Sequence, residues 1–85
     1  MQVLKLKVLV EAGAVREVEV SHEAEGWSVW IAYASRHGER REVLERQRGG
    51  VRMFTTLDAV ARGLAGLGLT AFRVNAAGLA GEDPP

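Results

Sequence analysis

The stretch WSVWIAYASRHGERREVLERQR, residues 27–48, combines two tryptophans with a concentration of arginines. A guanidinium supplies positive charge and paired hydrogen-bond donors, and an indole ring offers a flat stacking surface. The stretch also reads as a β-hairpin, because strand-forming residues lie on both sides of a polar turn that contains Gly38. These residue types predict a surface that contacts nucleic acid or a partner protein through Trp30, Arg40, Arg41, Arg46, Arg48 and Arg52.

A structural interpretation explains the same side chains. The aliphatic stems of arginines can cover an exposed tryptophan and keep a sheet soluble. Residues 36–52 hold six arginines but also three glutamates, of which Glu42 and Glu45 would repel phosphate groups locally. The interleaved carboxylates favour this interpretation over a phosphate-binding surface.

The length of the hairpin loop determines which side chains meet. A two-residue turn at 37–38 would place Trp27 opposite Arg48, and a three-residue loop at 37–39 would place Trp30 opposite Arg46. Either register puts an arginine beside a tryptophan, where a cation–π contact contributes about 0.5–1 kcal/mol when exposed. The sequence does not determine which of the two registers forms.

Other chemistry is not indicated by the sequence. The chain has no cysteine, which excludes disulfides, thiolate nucleophiles and cysteine-bound zinc. Adjacent Ser21, His22 and Glu23 cannot converge on one reacting atom as a catalytic triad requires. Glu17 and Glu19 share a strand face whose exposure leaves no reason for shifted pKa values. We therefore expect a protein that is not an enzyme and that uses no cofactor or metal.

Size and composition indicate one small globular domain. The chain has 85 residues, of which 47% are hydrophobic and 26% charged, with a net charge of zero. A small core without disulfides favours a homo-oligomer, and the absence of cysteine and of a long apolar run favours a cytoplasmic protein. We expect the domain to cover residues 1–78 and residues 79–85 to form a disordered tail.

Strand patterns dominate the first half of the chain. VLKLKVLV, residues 3–10, alternates apolar and lysine side chains and predicts a strand, and VREVEVS would complete a first hairpin through a turn at Gly13. WSVWIAYA is apolar on both faces, which predicts a central strand. RREVLERQR predicts the fourth strand, which the glycines at 49–50 either end or interrupt as a bulge that VRMF then continues.

A single long helix is predicted after residue 54. Thr55 is the expected N-cap, with Asp58 at the third helical position, and Gly66 or Gly68 is expected to end the helix. Its apolar stripe consists of Leu57, Val60, Ala61, Leu64 and Leu67. LTAFRV then predicts a last strand. The order β-β-β-β-α-β indicates an α+β fold, with a mainly antiparallel sheet, a helix on one face, and the other face open or covered by a second copy.

One family resemblance covers residues 1 to about 79. The residues from Arg52 to Val74 follow R-x-F-x-x-L-D-A-V-A-x-x-L-x-x-L-G-L-x-x-F-x-V, and the opening includes LKVLVEAGAVREVEV. Together they resemble ParC-type, partition-associated accessory proteins of bacterial plasmids and integrated mobile elements. The resemblance implies a non-enzymatic accessory role in maintaining a replicon, and it brings no catalytic residues.

A fainter resemblance connects WSVWIAY, HGERR and MFTTLDAVARGL to the arm-type DNA-binding domains of phage integrases. It implies that an open sheet face lies in the DNA major groove, with Arg41, Arg46, Arg48 and Arg52 as contacts. The extra strands before Trp27 and the zero net charge depart from that pattern.

Two functional hypotheses follow. The first is a small accessory protein that acts through protein–protein contacts, with itself or another protein. The second is a DNA-binding module that uses the arginine-rich hairpin. A small ligand between sheet and helix is a minor third. The identity of the partner is not determined by the sequence.

Overall fold

The structure is a computed structural model that describes residues 1–24 and 26–80. Seven elements follow each other along the chain: α1 (Val3–Glu11), β1 (Val15–Glu23), β2 (Gly26–Ser35), β3 (Gly38–Val43), α2 (Leu57–Ala65), β4 (Arg73–Asn75) and α3 (Ala77–Ala80). The four strands form one sheet in the order β3-β2-β1-β4. The expected α+β class is confirmed, although the order of elements differs from the prediction.

The first predicted strand is wrong, because residues 3–11 form helix α1. Its apolar residues fit the helical period as well as the strand period, and Leu6, Leu9 and Val10 line its packed side. Gly13 does make a turn, with φ 68°, but the turn ends this helix: the Gly13 N–H donates to Val10 O and the Ala14 N–H to Leu9 O.

β2 is the central strand that the sequence predicts, with β1 and β3 antiparallel on either side. One face of the sheet carries Val18 and Val20 of β1 and the odd-numbered residues Trp27 to Tyr33 of β2, all buried. Leu6 of α1 and Val60 and Leu64 of α2 belong to the same core. Both helices therefore cover the same face of the sheet.

Both predicted hairpin registers are wrong. The loop consists of residues 36–37, so that Ser35 pairs with Gly38 and Trp30 lies opposite Val43. The Ser35 hydroxyl stabilises this loop, because it accepts from the His37 N–H and donates to the Gly38 carbonyl. Gly38 has a φ of 105°, as expected for a turn glycine.

The fourth predicted strand is also shorter than expected. β3 ends at Val43, and residues 45–51 form a small loop closed by a bridge between Glu45 and Val51. The chain then returns to the sheet, where Phe54 exchanges two backbone hydrogen bonds with Trp27.

α2 begins one residue later than predicted. Thr56, not Thr55, is the N-cap, and its hydroxyl accepts from the Ala59 N–H at 3.1 Å. The backbone pairing of Phe54 with Trp27 delays the start of the helix. Ala61 faces solvent instead of the core, and Gly68, with φ 89°, closes the helix end.

β4 pairs with β1 in parallel, so the sheet is mixed and not wholly antiparallel. α2 carries the chain back across the sheet before β4 begins, which permits the parallel direction. Short helix α3 follows, and Asn75 Oδ1 accepts from the Ala77 N–H at 3.0 Å. Of the predicted tail, residues 79–80 belong to α3, and residues 81–85 lie outside the described residues. No helix of the described chain has the length and apolarity needed to cross a membrane.

Candidate interaction surface

The side of the sheet that points away from α1 and α2 is called the outer face here. It receives alternate residues of all four strands. Its members are Glu17, Glu19, Ser21, Glu23, Ser28, Trp30, Ala32, Ala34, Glu39, Arg41, Val43, Arg73 and Asn75. Since both longer helices pack on the opposite side, this face is the main surface of the sheet that they leave uncovered.

Trp30 lies at the centre of the outer face and is half-buried. The Arg41 guanidinium stacks over its ring, with its central carbon 4.5 Å from the ring centroid. The indole Nε1 donates to the Ser28 hydroxyl at 3.1 Å, and that hydroxyl donates to the Glu23 carboxylate. These contacts hold the indole in one position, and part of the side chain remains exposed to solvent.

Two ion pairs flank the tryptophan. Arg41 binds Glu19 at 2.6 Å, and Arg73 binds Glu17 at 2.5 Å. The Glu17 carboxylate accepts a hydrogen bond from Arg73 and raises the pKa of that guanidinium further. Both arginines of the outer face are therefore paired, and the face carries charges of both signs. The sequence identified Glu17 and Glu19 only as a solvated strand face, because their partners belong to other strands.

The six residues predicted to form a contact are not brought together. Trp30 and Arg41 share the outer face, whereas Arg40 lies on the opposite face of β3. Arg46 and Arg52 line a separate cleft, together with Glu23. Arg48 is exposed at the loop tip. Among these arginines, Arg41 alone forms an ion pair with a described residue.

A cluster that the sequence did not predict ties α1 to the sheet. Tyr33 donates to the Glu42 carboxylate, and Lys5 of α1 donates to the same carboxylate at 2.9 Å and to the Tyr33 hydroxyl at 3.0 Å. Hydrogen bonds from Tyr33 and Lys5 lower the pKa of Glu42. Hydrogen bonds to Tyr33 and Glu42 raise the pKa of Lys5. No sequence signal indicates this cluster, because Lys5 reaches Glu42 only when residues 3–11 form a helix.

The Glu42→Gln variant is expected to lose about 1 kcal/mol of unfolding free energy near pH 7, a value reduced for the partial exposure of the cluster. Because the folded-state pKa of Glu42 is lowered, its contribution is present above the ordinary glutamate pKa of about 4.3 and is lost as pH falls. Urea denaturation of both proteins at about pH 7 and about pH 3 measures the difference. Glu39→Gln, on the same strand but outside the cluster, is the control. An equal Glu42→Gln effect at both pH values would contradict the assignment.

The fold and the outer face define a small α+β protein with an open, mixed-charge sheet surface. A model of the ParC-like family matches residues 1–81, and the chain belongs to that family. This membership associates it with partition, as the sequence resemblance implied. No curated protein and no solved structure matched the chain, and the resemblance to integrase arm domains is not supported.

Proposed function

We propose that this chain is a non-enzymatic, cytoplasmic accessory protein of replicon partition that acts through protein–protein contacts made by the outer face. A second copy of the chain is the occupant that we propose first. The observation that carries the proposal is the partly exposed Trp30, stacked by Arg41 at the centre of a sheet face that α1 and α2 leave uncovered. Tryptophan and arginine are the residues most enriched at the energetic centres of protein interfaces.

The charge pattern of the outer face supports a second copy. Glu17, Glu19 and Glu39 lie on the same face as Arg41 and Arg73. A two-fold axis brings one face against an identical one. Acidic groups of one copy can then lie opposite basic groups of the other, because the face carries both signs of charge. A duplex DNA backbone would instead meet four carboxylates, and the two arginines of this face are already paired.

The size of the face indicates a weak contact. Four strands spaced about 4.8 Å apart give a surface about 15–20 Å wide, which is smaller than a standard stable interface. We therefore expect a reversible dimer with a dissociation constant in roughly the micromolar range.

Sedimentation velocity from about 10 μM to about 1 mM tests the proposal. The wild-type chain is expected to dimerise with rising concentration, and Trp30→Ser to raise the dissociation constant about tenfold or more. Leu4→Ser is the control, because Leu4 is also an apolar side chain open to solvent but lies on α1, on the other side of the sheet. A monomer throughout the range, or a dimer lost in Leu4→Ser and kept in Trp30→Ser, contradicts the proposal.

DNA binding is the second candidate. The observation that favours it is that Arg40, Arg46, Arg48 and Arg52 form no ion pair with a described residue. A fluorescence anisotropy titration with duplex DNA at about 50 mM and about 200 mM salt tests it. Binding that weakens steeply with salt and is abolished by Arg46→Glu supports this candidate, and no binding at the lower salt removes it.

A further inference from the structure

An apolar groove lies away from the outer face, between α2 and the segment 44–54. Its volume is about 270 Å³, and its apolar lining includes Leu44, Phe54, Leu64 and Leu67. Gly63 leaves the groove open on the helix side: a Cβ atom added there would lie 3.5 Å from Cε2 of the Phe54 ring. The groove therefore offers an aromatic edge and leucine side chains to an apolar group.

Exposed apolar side chains extend the groove along the molecule. Val3 forms one end of it, and Val3 and Leu4 line a neighbouring depression with Gln2 and Gln47. Both side chains are substantially exposed, Leu4 by 75%. An exposed apolar strip next to a groove is typical of a surface that binds another polypeptide.

Two guanidinium groups also line the groove, those of Arg46 and Arg52. Arg52 stacks on the Phe54 ring at 4.5 Å, and the Arg46 Nε donates to Gly49 O at 3.2 Å. Both also line a larger, more polar cleft of about 590 Å³ with Glu23, Val51 and Met53. Neither arginine forms an ion pair with a carboxylate in the described part of the chain.

Two carboxylates line these cavities with the arginines, Glu45 in the groove and Glu23 in the cleft, and both have other partners. Glu45 lies 3.2 Å from the terminal amine of Met1, and Glu23 accepts a hydrogen bond from Ser28. Arg46 and Arg52 are therefore positively charged groups, held in place by a backbone carbonyl and an aromatic ring, beside an apolar groove. Their planar donors suit a carboxylate.

We propose that this groove binds an acidic amphipathic segment of a partner protein, with an apolar side chain in the groove and a carboxylate on Arg46 and Arg52. The apolar groove and the two arginines together distinguish this segment from other possible ligands. A phosphate backbone would use the arginines but leave the groove empty. The exposed helix of a second copy, α1, carries Lys5 and Lys7, which the two arginines would repel.

The test uses the full ¹⁵N-labelled chain and a synthetic peptide of about 14 residues, with leucines at helical spacing and glutamates between them. Its addition is expected to shift the backbone amide signals of Leu44, Phe54, Gly63 and Leu67. Two control peptides replace either the leucines with serines or the glutamates with glutamines, and both are expected to bind about tenfold more weakly or worse.

Variants of the chain locate the contact. Arg46→Glu/Arg52→Glu is expected to weaken peptide binding about tenfold or more, whereas the matched charge change Arg36→Glu/Arg40→Glu leaves it unchanged. Gly63→Leu, at an exposed helix position, fills the groove and is expected to abolish binding while circular dichroism shows the fold retained.

Several outcomes overturn the proposal. One is the absence of signal shifts at millimolar peptide, and another is equal binding of the serine-substituted peptide, which would show a contact made by charge alone. Duplex DNA shifting these signals where the acidic peptide does not would assign the arginines to nucleic acid. Shifts of the same signals with protein concentration alone would assign the groove to a second copy. Only the last outcome touches the proposed dimer, and Trp30→Ser distinguishes the two cases, because a dimer formed through the groove would persist in that variant.

Discussion

Gly26→Ala is expected to destabilise the protein by about 3–5 kcal/mol, the sum of backbone strain and overpacking. Gly26 has a φ of 139°, which residues with side chains rarely adopt. A Cβ atom there would also overlap the backbone carbonyl of Phe54. That carbonyl cannot move away freely, because it accepts the Trp27 N–H at 2.7 Å.

Gly38→Ala separates the two effects. Gly38 also has a positive φ, 105°, but nothing lies within 4 Å of its added Cβ. We expect it to lose only the strain contribution, about 1–2 kcal/mol. Urea denaturation followed by circular dichroism measures both variants against the wild type. Equal losses for the two variants would show that the close approach of Phe54 to the start of β2 does not matter.

Leu6→Ala is expected to destabilise the protein by about 3 kcal/mol, whereas Leu4→Ala and Val8→Ala change its stability by about 0.5 kcal/mol or less. Leu6 is fully buried, while Leu4 and Val8 are 75% and 65% exposed. In a strand these three residues would share one face and one degree of burial. In helix α1 they do not, because residues two positions apart point in different directions.

The comparison of the three variants therefore tests the secondary structure of the N-terminal segment directly. Thermal or urea unfolding of each variant gives the measurement. Similar large losses of stability at residues 4, 6 and 8 would show that the segment is the strand that the alternating pattern predicts. They would also contradict the Lys5–Glu42 contact, which depends on the helix.

The two proposed surfaces use different residues and different sides of the sheet. The outer face depends on Trp30 and Arg41, and the groove depends on Arg46, Arg52 and Phe54. A chain with both could hold a second copy and an acidic partner at the same time. Such a bridging role suits the proposed accessory function.

The arginines between residues 36 and 52 show why the candidate site could be predicted only in part. The sequence indicated that an arginine stacks on a tryptophan, and Arg41 does so on Trp30. It did not indicate which arginine, because a loop at 36–37 shifts the register by two or three residues from the predicted ones. It also could not show that the remaining arginines diverge, since β3 ends at Val43 and the chain turns away.

The sequence by itself determined β2 and α2, because WSVWIAYA is a dense run of strand-forming residues and because Leu57, Val60 and Leu64 follow the helical period. Only the tertiary structure decided α1 and β4. VLKLKVLV fits both periods, and it became a helix because Leu6 enters the core and Lys5 meets Tyr33 and Glu42. The sequence of a strand does not indicate its direction relative to its neighbour. β4 is parallel to β1 because α2 carries the chain back across the sheet before β4 begins.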